Sequence, residues 1–182
     1  MLTIEQDVVD SAIDGFRLSP QQRRMWSLIQ QDGGSAYRSQ CLVVIDGDLT
    51  LETLRQAVRQ VVNGHEILHT TFQSLAGMTF PVQVVGDADA FAWRTVDFSA
   101  VSRERQDSEL DAIYEAERRA ALDISAGPLL RVVGIALGPG RHALLIVCSS
   151  LCADTASLPA LVAAMRGNRF RQERGHWESR RT

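Results

Sequence analysis

The 182-residue sequence predicts an α/β fold, an α+β sandwich in which helices pack on a mixed, mostly antiparallel sheet. The first observation is a pair of strongly apolar runs, residues 129–137 and 141–149, joined by Gly138-Pro139-Gly140. Two apolar runs around a short Gly/Pro turn are typical of a β-hairpin. The second observation is the helical spacing of apolar residues within residues 51–62 and 158–165. Segments of both kinds in a chain of this length favour one domain that combines helices with a sheet.

The first helix has a well-marked start. Ser19 suits the N-cap, Pro20 suits the first helical position, and Gln22 completes a capping box with the serine. We expect this helix to run to about Gln31, with Trp26 in the core. The other expected helices are residues 50–63, 104–122 and 155–165, and the expected strands are residues 37–46, 68–73, 78–85, 91–96, 129–137 and 141–149.

Composition excludes several classes of function. A net charge of −3 gives no argument for nucleic-acid or membrane binding, and no apolar run is long enough to span a bilayer. All 19 basic residues are Arg, which excludes Schiff-base chemistry on a lysine. Three cysteines, Cys41, Cys148 and Cys152, are too few for a disulfide framework and favour a reducing compartment. Since no signal-peptide pattern is present either, we expect a cytoplasmic protein with no metal site and no bound cofactor.

A polar cluster follows the most apolar predicted strand and precedes the last predicted helix. It consists of Ser149, Ser150, Cys152, Asp154 and Thr155. Side chains at the end of a buried strand are held rigidly and still reach solvent, which suits a reactive site. The alternative is a tight turn in which the Ser and Asp side chains cap the following helix.

Three local patterns occur in an order and at a spacing that resemble one known family. They are Leu18-Ser19-Pro20-Gln21-Gln22-Arg23-Arg24-Met25-Trp26, Gly64-His65-Glu66-Ile67-Leu68-His69-Thr70-Thr71-Phe72 and Ser149-Ser150-Leu151-Cys152-Ala153-Asp154-Thr155. They resemble the motifs S-x-A-Q-x-R-M/L-W, R-H-E-x-L-R-T-x-F and H-H-x-x-x-D-G of the condensation domains of nonribosomal peptide synthetases. Gly127-Pro128-Leu129-Leu130-Arg131 also looks like this family, so the resemblance covers residues 16–165.

The resemblance implies a fold and a place in an assembly line. It implies a single lobe of the chloramphenicol acetyltransferase-like fold, in which two lobes enclose a tunnel that contains the active site. Carrier domains bring substrates to that tunnel on phosphopantetheine during secondary metabolite biosynthesis. The chain then divides into an acidic leader or linker (residues 1–15), a condensation-domain N-terminal lobe (residues 16–165) and a basic tail (residues 166–182) that we expect to be disordered.

The third motif departs from the family pattern. Ser149 and Ser150 stand where the family has two histidines, of which the second supports attack of the acceptor amine on the donor thioester. A serine hydroxyl has no pKa near 7 and does not take a proton from an ammonium group, although it can donate a hydrogen bond. Asp154 is retained and Thr155 replaces the glycine. His69 stands where the family has the arginine that holds this aspartate, so the resemblance predicts His69 and Asp154 within hydrogen-bonding distance.

The third motif contains two candidate nucleophiles. Cys152 could form an acyl-thiol intermediate, although an unpaired cysteine is more often a buried, inert thiol. Ser150 could act as a nucleophile only beside a positioned base, for which His69 is the candidate.

The sequence leaves three functions open. The first is a catalytically degenerate condensation lobe that binds a peptidyl or acyl carrier domain, a complementary C-terminal lobe or a tailoring enzyme. The second is an active acyl or aminoacyl transferase, making amide or ester bonds between carrier-bound substrates, whose second lobe comes from another chain or a longer protein. The third is a docking segment that acts through the acidic leader and the basic tail. A lone lobe also predicts an exposed apolar patch on the order of several hundred Å² where the second lobe would sit.

Overall fold

The computed structural model describes residues 15–31, 37–87, 91–169 and 176–181. Its helices are α1 (Pro20–Gln31), α2 (Leu51–Asn63), α3 (Arg103–Arg119) and α4 (Leu158–Arg169), and a 3₁₀ turn covers Glu66–His69. Its strands are β1 (Phe16–Arg17), β2 (Arg38–Asp46), β3 (Thr70–Gln73), β4 (Val82–Val85), β5 (Ala92–Asp97), β6 (Leu130–Gly138), β7 (Arg141–Ser149) and β8 (His176–Arg181). The predicted α+β class is confirmed.

The main sheet has five strands in the order β5-β6-β7-β2-β8. Every neighbouring pair is antiparallel except β5 and β6, which run parallel. The predicted β6–β7 hairpin turns through Gly138 and Gly140, whose φ angles are 143° and 65°. Glycine adopts positive φ angles without the steric cost of a Cβ, which suits both residues to this turn. β2 pairs with β7 along its whole length, beginning with Arg38 opposite Ser149.

Helices cover both faces of the main sheet. α2 and α4 pack on the face that carries Val43, Ile45 and Ile146. α3 packs on the opposite face against Leu42 and Leu145. Because side chains alternate between the two faces along a strand, a strand buried on both faces has a continuous apolar sequence. Each fully buried aliphatic side chain stabilises the folded state by about 1.5–3 kcal/mol. Since β2 and β7 bury such side chains on both faces, these two strands form the centre of the core.

A second, smaller sheet has three strands in the order β1-β4-β3. α1 packs through Trp26 and Ile29 into an apolar cluster with Phe72 of β3 and with Leu151, which follows β7. Trp26 is buried in this cluster, as predicted. The cluster therefore joins the first helix, β3 and the segment after β7 into one packed unit.

Several observed boundaries differ from the predicted ones. The strand predicted over residues 68–73 begins instead as the 3₁₀ turn Glu66–His69, and the strand predicted over residues 78–85 is shortened to β4. α4 begins at Leu158 instead of residue 155, because Asp154 and Ser157 form a capping turn ahead of it. α3 ends at Arg119 instead of residue 122. Element ends depend on local caps, which a periodic apolar pattern does not locate.

The tail prediction is wrong for part of residues 166–182. α4 continues to Arg169, and His176–Arg181 form β8, which pairs with the side of β2 that β7 leaves free. An open strand edge exposes unpaired backbone N–H and C=O groups, and β8 satisfies those of β2. The leader predicted over residues 1–15 lies outside the described residues, apart from Gly15.

Two large hydrophobic side chains are exposed among the described residues. They are Phe16, 60% exposed, and Met78, 44% exposed. The broad apolar patch expected for a lone lobe stays a prediction. No helix among the described residues is long and apolar enough to cross a membrane.

Candidate functional site

The three sequence motifs meet at one open pocket of about 420 Å³. Ser19, just before α1, and Gln22 of α1 line it, the 3₁₀ turn contributes Ile67, and the segment between β7 and α4 contributes residues 150–154 and Ser157. Residues that are far apart in the sequence thus line a single cavity, which is typical of a binding site. We identify this pocket as the candidate functional site.

Gln22 connects the first motif to the third. Its Oε1 accepts a hydrogen bond from the Ser19 backbone N–H at 2.9 Å, and its backbone N–H donates to Ser19 Oγ at 3.2 Å. The predicted capping box is therefore confirmed. Gln22 Nε2 donates to Gln83 Oε1 of β4 at 2.9 Å and to the Leu151 carbonyl oxygen at 3.3 Å. One side chain therefore caps α1 and also holds the turn that follows β7.

Ser149 is a buried residue of that turn. Its carbonyl oxygen accepts hydrogen bonds from the backbone N–H groups of Cys152 and Ala153 at 2.9 and 3.1 Å. Its Oγ accepts from the Leu151 N–H at 3.3 Å, and its own N–H donates to the Leu129 carbonyl oxygen at 3.1 Å. These bonds form a tight turn, the alternative that the sequence left open for this serine.

Ser150 is half-buried and lines the pocket. Its backbone N–H donates to the Tyr37 carbonyl oxygen at 3.2 Å. Its Oγ makes no hydrogen bond within the described part of the chain, so the hydroxyl is free to bind a ligand. Ser149 instead lines a second cavity of about 320 Å³, together with Tyr37, Asp123 and Ile124. The two adjacent serines therefore serve different cavities.

Asp154 is exposed at the rim of the pocket and ties the turn to the start of α4. Its Oδ1 accepts hydrogen bonds from the Ser157 backbone N–H at 2.8 Å and from Ser157 Oγ at 2.5 Å. The pKa of Asp154 lies below its usual value, because the Ser157 hydroxyl and backbone N–H both stabilise the ionised carboxylate. Thr155, the other predicted motif residue here, is exposed and does not belong to the pocket lining.

His69 is buried and has a different partner from the predicted one. Its Nδ1 lies 2.9 Å from the Gly86 carbonyl oxygen, just after β4. Asp154 has its own partner in Ser157. Neither a hydrogen bond nor an ion pair joins His69 to Asp154 in the described structure, and His69 does not line the pocket. Each side chain has another partner, His69 the Gly86 carbonyl oxygen and Asp154 the Ser157 side chain and backbone N–H, and so does not pair with the other.

The environment of Cys152, the cysteine of the third motif, disfavours the thiolate form. Cys148 is fully buried, and Cys152 is half-buried and lines the pocket. The pKa of Cys152 is raised well above its usual value by a hydrogen bond with the Cys148 thiol and by burial. Burial also raises the pKa of Cys41 to about 12. Because the thiolate is the nucleophile, these environments favour inert thiols.

The pocket offers hydrogen-bonding groups and one carboxylate. None of the described histidine side chains lines it; they belong to His65, His69 and His142. Its titratable lining residues are Asp154, with a lowered pKa, and Cys152, with a raised one. The described residues contain no group of three or more His, Cys, Asp or Glu side chains that could hold a metal ion. The arrangement can bind and orient a polar ligand, but no lining side chain titrates near neutral pH.

Sequence reasoning missed Ser157, Ile67 and Met25 as parts of this pocket. For Ser157 a signal was present, because Asp-x-x-Ser ahead of an apolar helix is a capping pattern. For Ile67 and Met25 no local signal exists. Their half-buried apolar side chains reach the pocket because α1 and the 3₁₀ turn pack against the same apolar cluster.

The sequence is similar to parts of several large synthetases. A linear gramicidin synthase from Brevibacillus parabrevis is 32% identical over 146 residues, which cover 80% of this chain and 2% of the relative. Chondramide synthase of Chondromyces crocatus is 31% identical over 150 residues, which cover 82% of this chain and 4% of the relative. The chain therefore spans only a few per cent of the length of these relatives.

Solved condensation domains have the same fold. A variant of the starter condensation domain of the rhizomide synthetase, in complex with C8-CoA, has a TM-score of 0.73 at 18% identity and covers 83% of this chain and 34% of that chain. The first condensation domain of the calcium-dependent antibiotic synthetase, in complex with a substrate analogue, has a TM-score of 0.71 at 22% identity, covering 83% of this chain and 36% of that chain.

The family assignment rests on most of the chain. A family model described as the condensation domain matches residues 13–171, a range that contains all three motifs. The similar proteins are synthetases of secondary metabolites, and the similar structures are condensation domains. The chain belongs to the condensation-domain family of the nonribosomal peptide synthetases.

Proposed function

We propose that the protein is a catalytically degenerate condensation-domain lobe that binds an acyl or peptidyl carrier domain without forming a peptide bond. In this proposal the pocket receives a substrate tethered to the carrier's phosphopantetheine. The observation that carries the proposal is the pocket lining. Ser150, which the motif resemblance sets at the position of the family's second histidine, lines the pocket, and no described imidazole belongs to the lining.

Amide formation needs a group that takes a proton from the acceptor amine. An α-amino group has a pKa of about 7.7–8.0, so most of it is an ammonium at neutral pH. A general base is most effective when its pKa lies near the working pH. The pKa of Asp154 is lowered and that of Cys152 is raised, so neither fits this task. A serine hydroxyl does not accept that proton either, which leaves Ser150 as a binding group.

The same lining suits the binding of a tethered substrate. The Ser150 hydroxyl makes no hydrogen bond with the described residues and can donate one to a thioester or amide carbonyl. The Asp154 carboxylate, held in its ionised form, can attract an ammonium group at the rim of the pocket. Met25 and Ile67 add apolar surface for the substrate chain. These groups support recognition and provide no proton transfer.

The proposal extends to partners and location. The chain covers 34% and 36% of the two solved condensation-domain chains described above, which supports a complementary C-terminal lobe as a further partner. That lobe would come from another chain or from a longer form of the protein, and a tailoring enzyme is another partner of this kind. The three cysteines of this chain are free thiols, which suits a reducing cytoplasm.

Binding and chemistry can be measured separately. The binding probe is a carrier domain whose phosphopantetheine bears an amide-linked aminoacyl group, and its binding to the full chain is followed by fluorescence anisotropy. We expect saturable binding that Ser150→Trp weakens about tenfold by filling the pocket. Gln60→Trp, at an exposed position on α2, is the matched control and should leave the affinity unchanged. Loss of probe affinity in both variants, or in neither, would contradict the proposed site.

The chemical test uses a donor carrier with an acyl thioester and an acceptor carrier with an aminoacyl thioester. We expect no amide product by intact-protein mass spectrometry, either with the chain alone or with a condensation-domain C-terminal lobe added. An amide or ester product that depends on Ser150 or Cys152 would overturn the proposal. That outcome would establish the alternative, an acyl or aminoacyl transferase completed by a second lobe.

A further inference from the structure

A third cavity, of about 290 Å³, lies where β1 meets α1 and the turn before β4. We call four of its lining residues the β1 patch: Arg17, Arg23, Met78 and Phe80. Met78 is 44% exposed, although methionine is an apolar side chain. Met78 is thus an exposed large hydrophobic side chain in the lining of this cavity.

The β1 patch is also positively charged. Neither Arg17 nor Arg23 forms an ion pair with a carboxylate of the described residues. The Arg23 guanidinium lies 5.6 Å from the centroid of the Phe80 ring, a cation–π contact between two residues that line the cavity. A cavity lined by the exposed Met78, the half-buried Phe80 and two arginines without a described carboxylate partner is complementary to a segment that is both apolar and acidic.

The chain contains such a segment immediately before β1. Residues 1–14 carry Glu5, Asp7, Asp10 and Asp14 and contain no Lys, Arg or His. The same segment contains the apolar residues Leu2, Ile4, Val8, Val9 and Ile13. We propose that the acidic N-terminal segment, residues 1–14, docks on the β1 patch of its own chain.

The connection between the two favours docking within one chain. Gly15 is packed against β4, where a Cβ on it would meet Val82 Cγ2 at 3.0 Å, so residues 1–14 join the described structure next to the patch. An extended chain spans about 3.3–3.6 Å per residue, so Asp10, five residues before Gly15, can reach up to about 17 Å from it. A short tether gives an effective concentration in the millimolar range, which makes weak contacts sufficient. A separate partner with the same composition lacks this advantage.

The test uses the full chain and the oxidation of Met78 by peroxide, measured by mass spectrometry of peptides. The leader variant Asp10→Arg/Asp14→Arg reverses two charges, and we expect its Met78 to oxidise at least threefold faster than in the wild type. Arg17→Glu/Arg23→Glu should have the same effect. Combining the two pairs restores opposite charges and should restore the slow rate. Asp48→Arg/Glu104→Arg, at exposed positions on other elements, changes the net charge equally and should leave the rate unchanged.

Met165, which is fully buried under α2 and the sheet, reports unfolding in the same samples. A rise in Met78 oxidation counts only while Met165 stays unoxidised. Equal Met78 rates in the wild type and the leader variant would overturn the proposal. Failure of the combined variant to recover the slow rate would overturn it as well. Protection that grows with protein concentration would assign the patch to a second copy of the chain instead.

Discussion

Gln22 Nε2 donates a hydrogen bond to the Leu151 carbonyl oxygen at 3.3 Å, across the pocket that three sequence motifs share. The same amide group bonds to Gln83 Oε1, while Gln22 Oε1 caps the start of α1. The turn that carries Ser150 is thus fixed to the first helix by one side chain. The position of this turn therefore depends on α1, on β4 and on β7, which the turn follows.

Replacing Gln22 by Leu should destabilise the protein by about 1–3 kcal/mol. The substitution removes the cap on the Ser19 N–H and leaves Gln83 and the Leu151 carbonyl without their donor, and unsatisfied polar groups cost about this much. The free energy of unfolding from urea titrations measures the change. Gln21→Leu is the control, because Gln21 is exposed on the same helix. Equal effects of both substitutions would refute a special role for Gln22.

The two serines of the third motif should respond differently to removal of the hydroxyl. Ser149→Ala should lower the free energy of unfolding by about 1 kcal/mol, because Ser149 Oγ is buried and accepts the Leu151 N–H. The free energy of unfolding of Ser150→Ala should stay within about 0.5 kcal/mol of the wild-type value, because the Ser150 Oγ makes no hydrogen bond with a described residue. The comparison uses the same urea titration. A larger loss for Ser150→Ala would mean that this hydroxyl is structural.

Stability should fall below about pH 6.5 through His142. Burial holds the pKa of His142 below its usual value, and its Nδ1 has no hydrogen-bond partner within the described residues. The unfolded chain then takes up a proton at a higher pH than the folded chain. Stability is therefore fully present above the unfolded pKa of about 6.5 and is lost as the pH falls through the folded pKa.

The measurement is the urea midpoint between about pH 7.5 and about pH 5.5, where His is the side chain that titrates. We expect His142→Leu to reduce the decline seen in the wild type. His65→Leu, which removes an exposed histidine, should leave the decline in place. An unchanged pH dependence in His142→Leu would show that another group is responsible.

Gly134 of β6 should not tolerate a methyl group. A Cβ at this position would lie 2.6 Å from Trp93 Cζ2 and 2.9 Å from its Cη2, so the indole must move. We expect Gly134→Ala to cost about 1–3 kcal/mol and to change the tryptophan fluorescence of the folded protein. Gly167→Ala is the contrasting control, since nothing lies within 4 Å of that Cβ in α4. This second change should stabilise the helix by about 0.5–1 kcal/mol.

The sequence alone was sufficient to predict features that depend on residues close together in the chain. The capping box of Ser19 and Gln22 and the hairpin at Gly138 and Gly140 both form as predicted. Their hydrogen bonds and backbone angles involve residues only a few positions apart, so the local sequence determines them. The order of the three motifs was equally sufficient for the family, because each motif is a contiguous segment.

The tertiary structure decided which partner each side chain finds. Asp154 bonds to Ser157 and His69 to Gly86, instead of to each other. Ser149 and Ser150 line two different cavities although they are neighbours in the chain.

The pairing of β8 with β2, against an expectation of disorder, is a decision of the same kind. A periodic apolar pattern determines which face of an element is buried, but not which neighbour packs on that face or which strand occupies an open edge. Those choices depend on the summed contacts of distant segments, and they become visible only when the whole chain has folded.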